Sequence, residues 1–464
     1  MNITANIIRK RTFAAWAAAV AAALCLVACS ADDPQADAYG SPVTVSLRLA
    51  AAPAASTRAW NGAQSDPTAG EGMNSWAVVV ADGGGTVVKV LANDGLDDIY
   101  SDNIGELTLP AGTYTFYSFA NISMTDIGSP KEGGQCPDFG TMTFGVSGNT
   151  LTLPEGGIPM SNSQTIEIGA ATQTVELWVV RMLAKMELRL TNATASDLTV
   201  TGLTLDGVTR NTGGNLMLLP RPADGGAAGA CSPNIAEGAA AGNHTWARTV
   251  AVPAGAEEPA TLAFYVNESR TPANAHGLFT LTLALKRDGG EEDEMRYALI
   301  TNDDGNWNYI GRNDHRVIPV TLDDYRLDLT PYDFPPIGVY PASVKEEDGL
   351  FTCTFHAGGH FHLVPQVMRY STGQTLGYGS GDGQWQYVGW ATDGTPAIYA
   401  DGTATADQPD NGGAPAWVEG SRCIIGKMEE TATGRAYHTL TVRVGGTGGQ
   451  AARTLSYRIC IIKE

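Results

Sequence analysis

Three histidines crowd the stretch FHAGGHFHLVP at residues 355–365: His356, His360 and His362. Residues two apart on a strand point the same way, so His360 and His362 could chelate a metal ion. The sequence fixes no cysteine or carboxylate beside them, and the polar face of a hairpin turning at Gly358-Gly359 accounts for them better. No metal site is expected. GYGSGDG (377–383) has the glycines of a phosphate-cradling loop, but it follows no parallel strand and opens no helix, so it fails the context that chemistry needs. GGEEDEM (289–295) and TNDDGNW (301–307) gather carboxylates without calcium-loop spacing and read as solvated hairpin tips. No GxSxG, HExxH or Walker-type sequence occurs. Neither enzymatic activity nor a cofactor is expected. The remaining chemistry lies at Arg58, the one cation in AAPAASTRAWNG (51–62). Small residues broken by Pro53 suit a protease that takes an extended substrate, and an arginine-specific protease would cut between Arg58 and Ala59. Taken alone, the residue reads better as a solvated arginine in an ordinary loop.

A second reactive position is Cys29. Arg9, Lys10 and Arg11 precede AAWAAAVAAALCLVA (14–28), an apolar run too short for a comfortable membrane span. It ends in LVACS, which resembles the lipobox of bacterial lipoproteins. The resemblance implies cleavage between Ala28 and Cys29, diacylglycerol on the Cys29 thiol and an acyl chain such as palmitate on the new amino terminus. Two or more chains hold a protein stably on a bilayer where one does not. Ser30, Asp32 and Asp33 resemble the short acidic surface-export signal of lipoproteins in Gram-negative gut and oral anaerobes. The expected location is the outer membrane surface. Residues 1–28 would be the signal and 29–40 a tether. Losing the signal leaves 26 Lys and Arg against the 49 Asp and Glu, which moves the formal charge from −20 to −23. Such a chain has no footprint for nucleic acid or anionic headgroups. Cys136, Cys231, Cys353, Cys423 and Cys460 follow, an odd number without CxxC. One disulfide among the last three is open, and a metal cluster is not expected.

The elements that must position these residues are strands. Val43, Val45, Leu47 and Leu49 alternate with Thr44, Ser46 and Arg48, and Ala184, Met186, Leu188 and Leu190 alternate with Lys185, Glu187 and Arg189. TYTFYSFAN (113–121), LAFYV (262–266) and LFTLTLAL (278–285) repeat the pattern. Asp-Gly occurs ten times, as at Asp206-Gly207, Asp288-Gly289 and Asp348-Gly349, and favours tight antiparallel hairpins. The chain is expected to be all-β. Residues 156–173 look irregular, a strand pair begins at Glu176, and the four prolines of TPYDFPPIGVYP (330–341) read as a stiff linker. These features divide the mature chain into 41–173, 174–330 and 335–464. The insert at 220–243 reads as a long, mobile small-residue loop.

Three further stretches carry a resemblance. LTLPAGTYTFYSFANI (107–122), VRMLAKMELRLTN (180–192) and GRNDHRVIPVTLDDYRLDL (311–329) resemble, in order and spacing, fimbrillins, the subunits of type V pili. His315 stands where an aromatic is usual. The resemblance covers about residues 29–330. It implies two fimbrillin-type, transthyretin-like β-sandwich domains, here followed by a third β-sandwich-like domain. It also implies export as a lipoprotein, a cut after Arg58 and loss of the strand bearing Val43, Val45, Leu47 and Leu49. A strand from a neighbouring subunit would then fill the gap by β-strand complementation. In a stalk subunit the last strand, with Tyr457, Ile459 and Ile461, would be the donor; in a tip subunit it would stay in its own domain. Residues 335–464 exceed what a two-domain stalk subunit needs, so a tip or accessory role in the fimbria is expected, with adhesion to a host protein or glycan. Trp385, Tyr387, Trp390, Tyr399 and Trp417 read better as filling a sandwich core than as a platform for sugar rings. Two alternatives stand beside the tip reading: an uncut, lipid-linked anchor, and a surface glycan-binding lipoprotein that binds through Trp385 or Trp390.

Overall fold

Alternation builds the first layer. The computed structural model describes residues 42–52, 70–146, 148–210, 216–223, 229–273, 279–287, 290, 293–299, 309–331, 339–347, 350–370, 372–402, 413–446 and 452–464. Its first strand, β1 (Val43–Ala51), turns Val43, Val45, Leu47 and Leu49 inward, as period two requires. β2 (Met73–Asp82), β3 (Val87–Ile99), β4 (Ser101–Leu109), β5 (Gly112–Ala120), the short β6 (Thr143–Phe144), β7 (Met160–Ile168) and β8 (Gln173–Arg181) follow. The sheet runs β3-β2-β5-β7-β8-β1-β4. β7 and β8 pair only at Met160–Arg181 and Ser161–Val180, which makes a corner. The sheet folds there, and one core takes side chains from β2, β5 and β7 on one side and β8, β1 and β4 on the other. The stretch 156–173 is thus not irregular: MSNSQTIEI forms β7, whose polar residues hide its pairing with β5.

The second sandwich comprises β9 (Leu183–Asn192), β10 (Leu198–Thr209), β11 (Leu216–Met217), β12 (Arg221–Pro222), β13 (Cys231–Ser232), β14 (Ala241–Val252), β15 (Ala260–Asn267), β16 (Thr280–Arg287), β17 (Asp293–Leu299) and β18 (His315–Leu322). Its layers are β14-β10-β16-β17 and β15-β9-β18 around a separate core. The third has β19 (Tyr325–Pro331), β20 (Ser343–Glu347), β21 (Leu350–Phe355), β22 (Gly359–Arg369), β23 (Gly377–Tyr378), β24 (Gln384–Thr392), β25 (Ala416–Val418), β26 (Cys423–Met428), β27 (Gly434–Val444) and β28 (Arg453–Lys463), in layers β19-β22-β26-β25 and β20-β21-β28-β27-β24-β23. Every regular element among the described residues is a strand.

Strand pairing shifts both expected boundaries. β8 pairs along its length with β1, so residues 173–181 belong to the first sandwich rather than the second. β19 pairs with β22, which places residues 325–331 in the third. The sheets therefore change at Met182 and around Asp323-Asp324. Asp206-Gly207 is not a hairpin turn either: it lies within β10, where the register shifts between Leu205 and Val208. Gly207 has φ +89, and a Cβ there would come 2.6 Å from Pro272 Cγ, so a bulge takes the glycine that a turn was expected to use. Asp288-Gly289 and Asp348-Gly349 lie outside the described residues. The 220–243 insert packs Ala230, Cys231 and Ile235 into the protein.

One pairing repeats in all three sandwiches. β1 runs parallel to β8, β9 parallel to β18, and β21 parallel to β28. β1, β9 and β21 also pair antiparallel with β4, β15 and β20. Each of these three strands thus sits between an antiparallel strand and its sandwich's closing strand.

Candidate functional site

The candidate site is the slot that β1 occupies. β4 lies on one side of it, from Val43 opposite Leu109 to Ala50 opposite Ser101, and β8 lies on the other, from Val45 opposite Gln173 to Ala51 opposite Val179. The register against β4 shifts between Leu47 and Arg48, opposite Gly105 and Asn103. Val45 and Leu49 have no exposed surface, while Leu47 is 3% exposed and Val43 8%. They meet Trp76, Val78, Phe116, Val175 and Leu177 in the core. Full burial of an aliphatic side chain contributes about 1.5–3 kcal/mol, so the four together account for roughly 6–12 kcal/mol, the order of a domain's whole net stability. Arg48 faces solvent, and Ser46 donates to Glu106 Oε1 at 3.3 Å on the outer face. β1 is therefore an interior strand of its layer, and removing it would strip the inner edges of β4 and β8.

Where β1 leaves the layer, polar groups close around it. The Ala51 N–H donates to Tyr100 O and the Ala52 N–H to Val179 O, each at 2.8 Å. Arg181 ends β8; its Nη1 donates to Ala52 O at 3.2 Å and to Asn313 Oδ1 at 3.2 Å, and its Nε donates to Glu71 O at 3.0 Å. Its guanidinium lies 5.9 Å from the centre of the Tyr100 ring. Burial lowers the Arg181 pKa, and Glu71 and Tyr100 work against that shift. Lys185 reaches Glu71 Oε1 at 2.7 Å, and the Tyr265 hydroxyl donates to the same oxygen at 2.8 Å.

The chain re-enters at Gly70 under separate restraint. Asp98, at φ +50, accepts from the N–H of Gly70 (2.6 Å) and of Gly72 (2.5 Å). Asn121, at φ +56, accepts from the N–H of Asn74 at 2.7 Å and donates to Gly72 O and Ile158 O, each at 2.9 Å. Residues 70–74 are thus held by groups that do not belong to β1. The sequence motifs quoted above converge here: Asn121 is the last but one residue of the first, Arg181 and Lys185 belong to the second, and Asn313 to the third. The sequence marked Arg181 as part of a pattern but gave no sign that it binds the end of β1. A cation closing an apolar strand is the signal that could have found it. In the same third motif Arg312, wholly buried, pairs with Glu268, and His315 Nε2 lies 3.2 Å from Glu187 Oε2.

Ala28, Cys29, Arg58 and Ala59 lie outside the described residues. Tyr457, Ile459 and Ile461 lie on β28, which pairs with β21 on one side and with β27 on the other, so the candidate donor strand occupies its own sandwich. Ile459 and Ile461 are fully buried. The three histidines do not sit on a hairpin: β21 and β22 belong to different layers, and the chain crosses between layers from Phe355 to Gly359. Among the described residues no group of three His, Cys, Asp or Glu could hold a metal ion. The five described cysteines are unbonded. Cys353 lies opposite Ile461 and Cys460 opposite Thr352 on parallel strands, so the two thiols leave opposite faces of the sheet.

The third-domain aromatics turn mostly inward. Trp385 is 4% exposed and Tyr399 8%, both within the core. Trp417 stacks on Tyr387 with centroids 4.8 Å apart, and Trp390 stacks on His438 at 4.8 Å. Trp385 therefore presents no ring face for a sugar.

No family model matches the chain, and neither does any curated protein. Among solved structures it is similar to a Parabacteroides distasonis protein assigned to cell adhesion, at 15% identity over 61% of this chain and 89% of that one, with a TM-score of 0.41. It is also similar to the tip fimbrial protein Mfa3 from Porphyromonas gingivalis with a C-terminal truncation, at 16% identity over 63% and 96% of the two chains, with a TM-score of 0.38. A fimbrial assembly protein from Parabacteroides distasonis aligns at 10% identity over 72% and 98%, with a TM-score of 0.31. All three TM-scores are below 0.5 and carry no argument about function; the all-β architecture rests on the strands themselves.

Proposed function

We propose that the chain is a subunit of a cell-surface fimbria that matures by exchanging its first strand. It travels as a lipoprotein acylated at Cys29, is cut between Arg58 and Ala59, and accepts a strand from a neighbouring subunit in the place of β1. The observation that carries this reading is the position of β1. It fills the middle of a three-strand layer with four buried aliphatic side chains, and the segment that follows it carries Arg58. A slot of this kind gives a guest strand main-chain hydrogen bonds along both edges and pockets at alternate side chains. The settled position of β28 supports a terminal, tip-like place rather than a stalk. The sequence resemblance supports the export and processing steps.

Amino-terminal sequencing of the protein in purified fimbriae tests the reading. Ala59 is the expected first residue, and intact, lipid-linked chain starting at Cys29 would count against processing. An Arg58→Ala chain separates the tip reading from the anchor. Loss of the variant from fimbriae supports processing, whereas normal incorporation means an uncut anchor that keeps β1.

A further inference from the structure

An inserted strand needs more than apolar pockets, because pockets spaced two residues apart repeat. A guest that slips by two residues keeps the same face inward and can still fill three of the four places of Val43, Val45, Leu47 and Leu49. Something at the end of the slot must count. Ala52 is 2% exposed and packs with Val180, Cys231 and Trp178, which leaves room for a small residue only. Beside it, Arg181 Nη1 donates to Ala52 O. The other groups that hold Arg181 are Glu71 O, Asn313 Oδ1 and the Tyr100 ring, and all of them follow Ala59 in the chain. A cut after Arg58 therefore leaves the guanidinium aimed at the end of the slot and takes away the carbonyl it binds. The half-buried guanidinium keeps Asn313 Oδ1 and Glu71 O, and a guest that restores a carbonyl there regains a charge-assisted hydrogen bond, so that guest is favoured.

We infer that Arg181 is the register stop of the slot: it binds the backbone carbonyl that closes the inserted strand and, with the tight place of Ala52, selects the guest. This inference rests on the strand-exchange reading. The partner it specifies is an extended segment of another chain with aliphatic side chains at four alternating positions. A small residue stands three positions after the last of these, where Ala52 stands after Leu49, and its carbonyl meets Arg181. The protein's own β28 does not match: in the alignment that sets Leu455 in the place of Val43, Tyr457 falls in the fully buried place of Val45 and Glu464 in that of Ala52.

The test uses the full chain cut at Arg58 with an arginine-specific protease and freed of the released segment. Two synthetic peptides are titrated into it. One spans Pro42–Ala52 and ends in an amide. The other spans Pro42–Ala51 and ends in an N-ethylamide, which keeps the last N–H and methyl but lacks the last carbonyl. The carbonyl-free peptide should bind at least about tenfold more weakly to the cut wild-type chain. The difference should shrink below about twofold in cut Arg181→Met. If Arg181→Met does not fold, Arg181→Lys and the wild-type pair decide. Equal affinity of the two peptides for the wild-type chain, or the same ratio in wild type and variant, overturns the register stop and leaves the slot standing. Binding of neither peptide to a folded, cut chain overturns strand exchange and the register stop together.

Discussion

His438 has no exposed surface, and its ring is fully engaged. Nε2 lies 2.7 Å from the Tyr399 hydroxyl, Nδ1 lies 3.0 Å from Thr392 Oγ1, and Trp390 stacks on one face. Burial pushes its pKa down to about 3, and the smaller influences of Asp393 and Arg458 oppose each other. The folded value lies below the unfolded value of about 6.5. Its contribution is therefore whole above that value and is lost as pH falls toward the folded pKa, because the unfolded chain gains the proton first. At pH 5 the loss is about 2 kcal/mol. Urea unfolding of the third sandwich at pH 7.5 and pH 5 should show that extra acid sensitivity in the wild type and not in His438→Gln; equal sensitivity would refute it. In β1 the contrast is between neighbours. Leu49→Ala opens a cavity in a filled core and should cost about 2–5 kcal/mol in the uncut chain. Arg48→Ala, on the exposed side, should stay within about 0.5 kcal/mol. Denaturant midpoints of the two variants measure both, and similar losses would mean that β1 is not seated as described.

At the scale of elements, edges decide what the sheets can do. β18 pairs with β9 on one side and, among the described strands, with none on the other. Pro319 sits exposed in its middle, opposite Arg189. A proline lacks the N–H that a ladder needs, so it blocks pairing on the outer edge without disturbing β9. Pro319→Thr should give concentration-dependent dimers by light scattering while the wild type stays monomeric; a monomeric variant would show that the edge is protected in another way. Strands of this sort were legible from period two alone: β1, β5, β9 and β15 lie where alternation placed them. β7 was missed because Ser161, Asn162 and Ser163 carry little hydrophobic signal, although Met160, Ser161 and Asn162 are buried. The parallel joins β1–β8, β9–β18 and β21–β28 were also hidden, since Asp-Gly turns report only neighbours along the chain. In the site, the inward side chains of β1 were visible in the sequence. The convergence of Asp98, Asn121, Arg181 and Asn313 was not, because it depends on residues far apart along the chain.

The whole molecule is polar in the sense that matters for assembly. The first two sandwiches are joined by β6 pairing with β11, by Trp246 donating to Asn149 O at 3.0 Å, and by the Glu71–Lys185–Tyr265 cluster. The third is tied to the second through Asp324, which meets Arg287 at 3.5 Å and Arg369 at 3.8 Å. Of the strands equivalent to β1, β9 and β21 are continuous with the chain on both sides, so a cut after Arg58 can open the first slot and neither of the others. At the far end β28 is paired to β27 from Arg453 opposite Val444 to Lys463 opposite Gly434, and to β21 on its other side. Freeing it would expose Ile459 and Ile461 and break two ladders at once. On the proposed processing, a cut chain would receive one strand, and the described strand β28 is not free to be given, so the chain should end a polymer rather than extend it. Analytical ultracentrifugation of the cut chain with a donor peptide should saturate at one peptide per chain. Adding more cut chain should yield no species larger than that complex. Open-ended oligomers of the cut chain alone would mean that β28 does leave its sandwich, and the terminal assignment would fail.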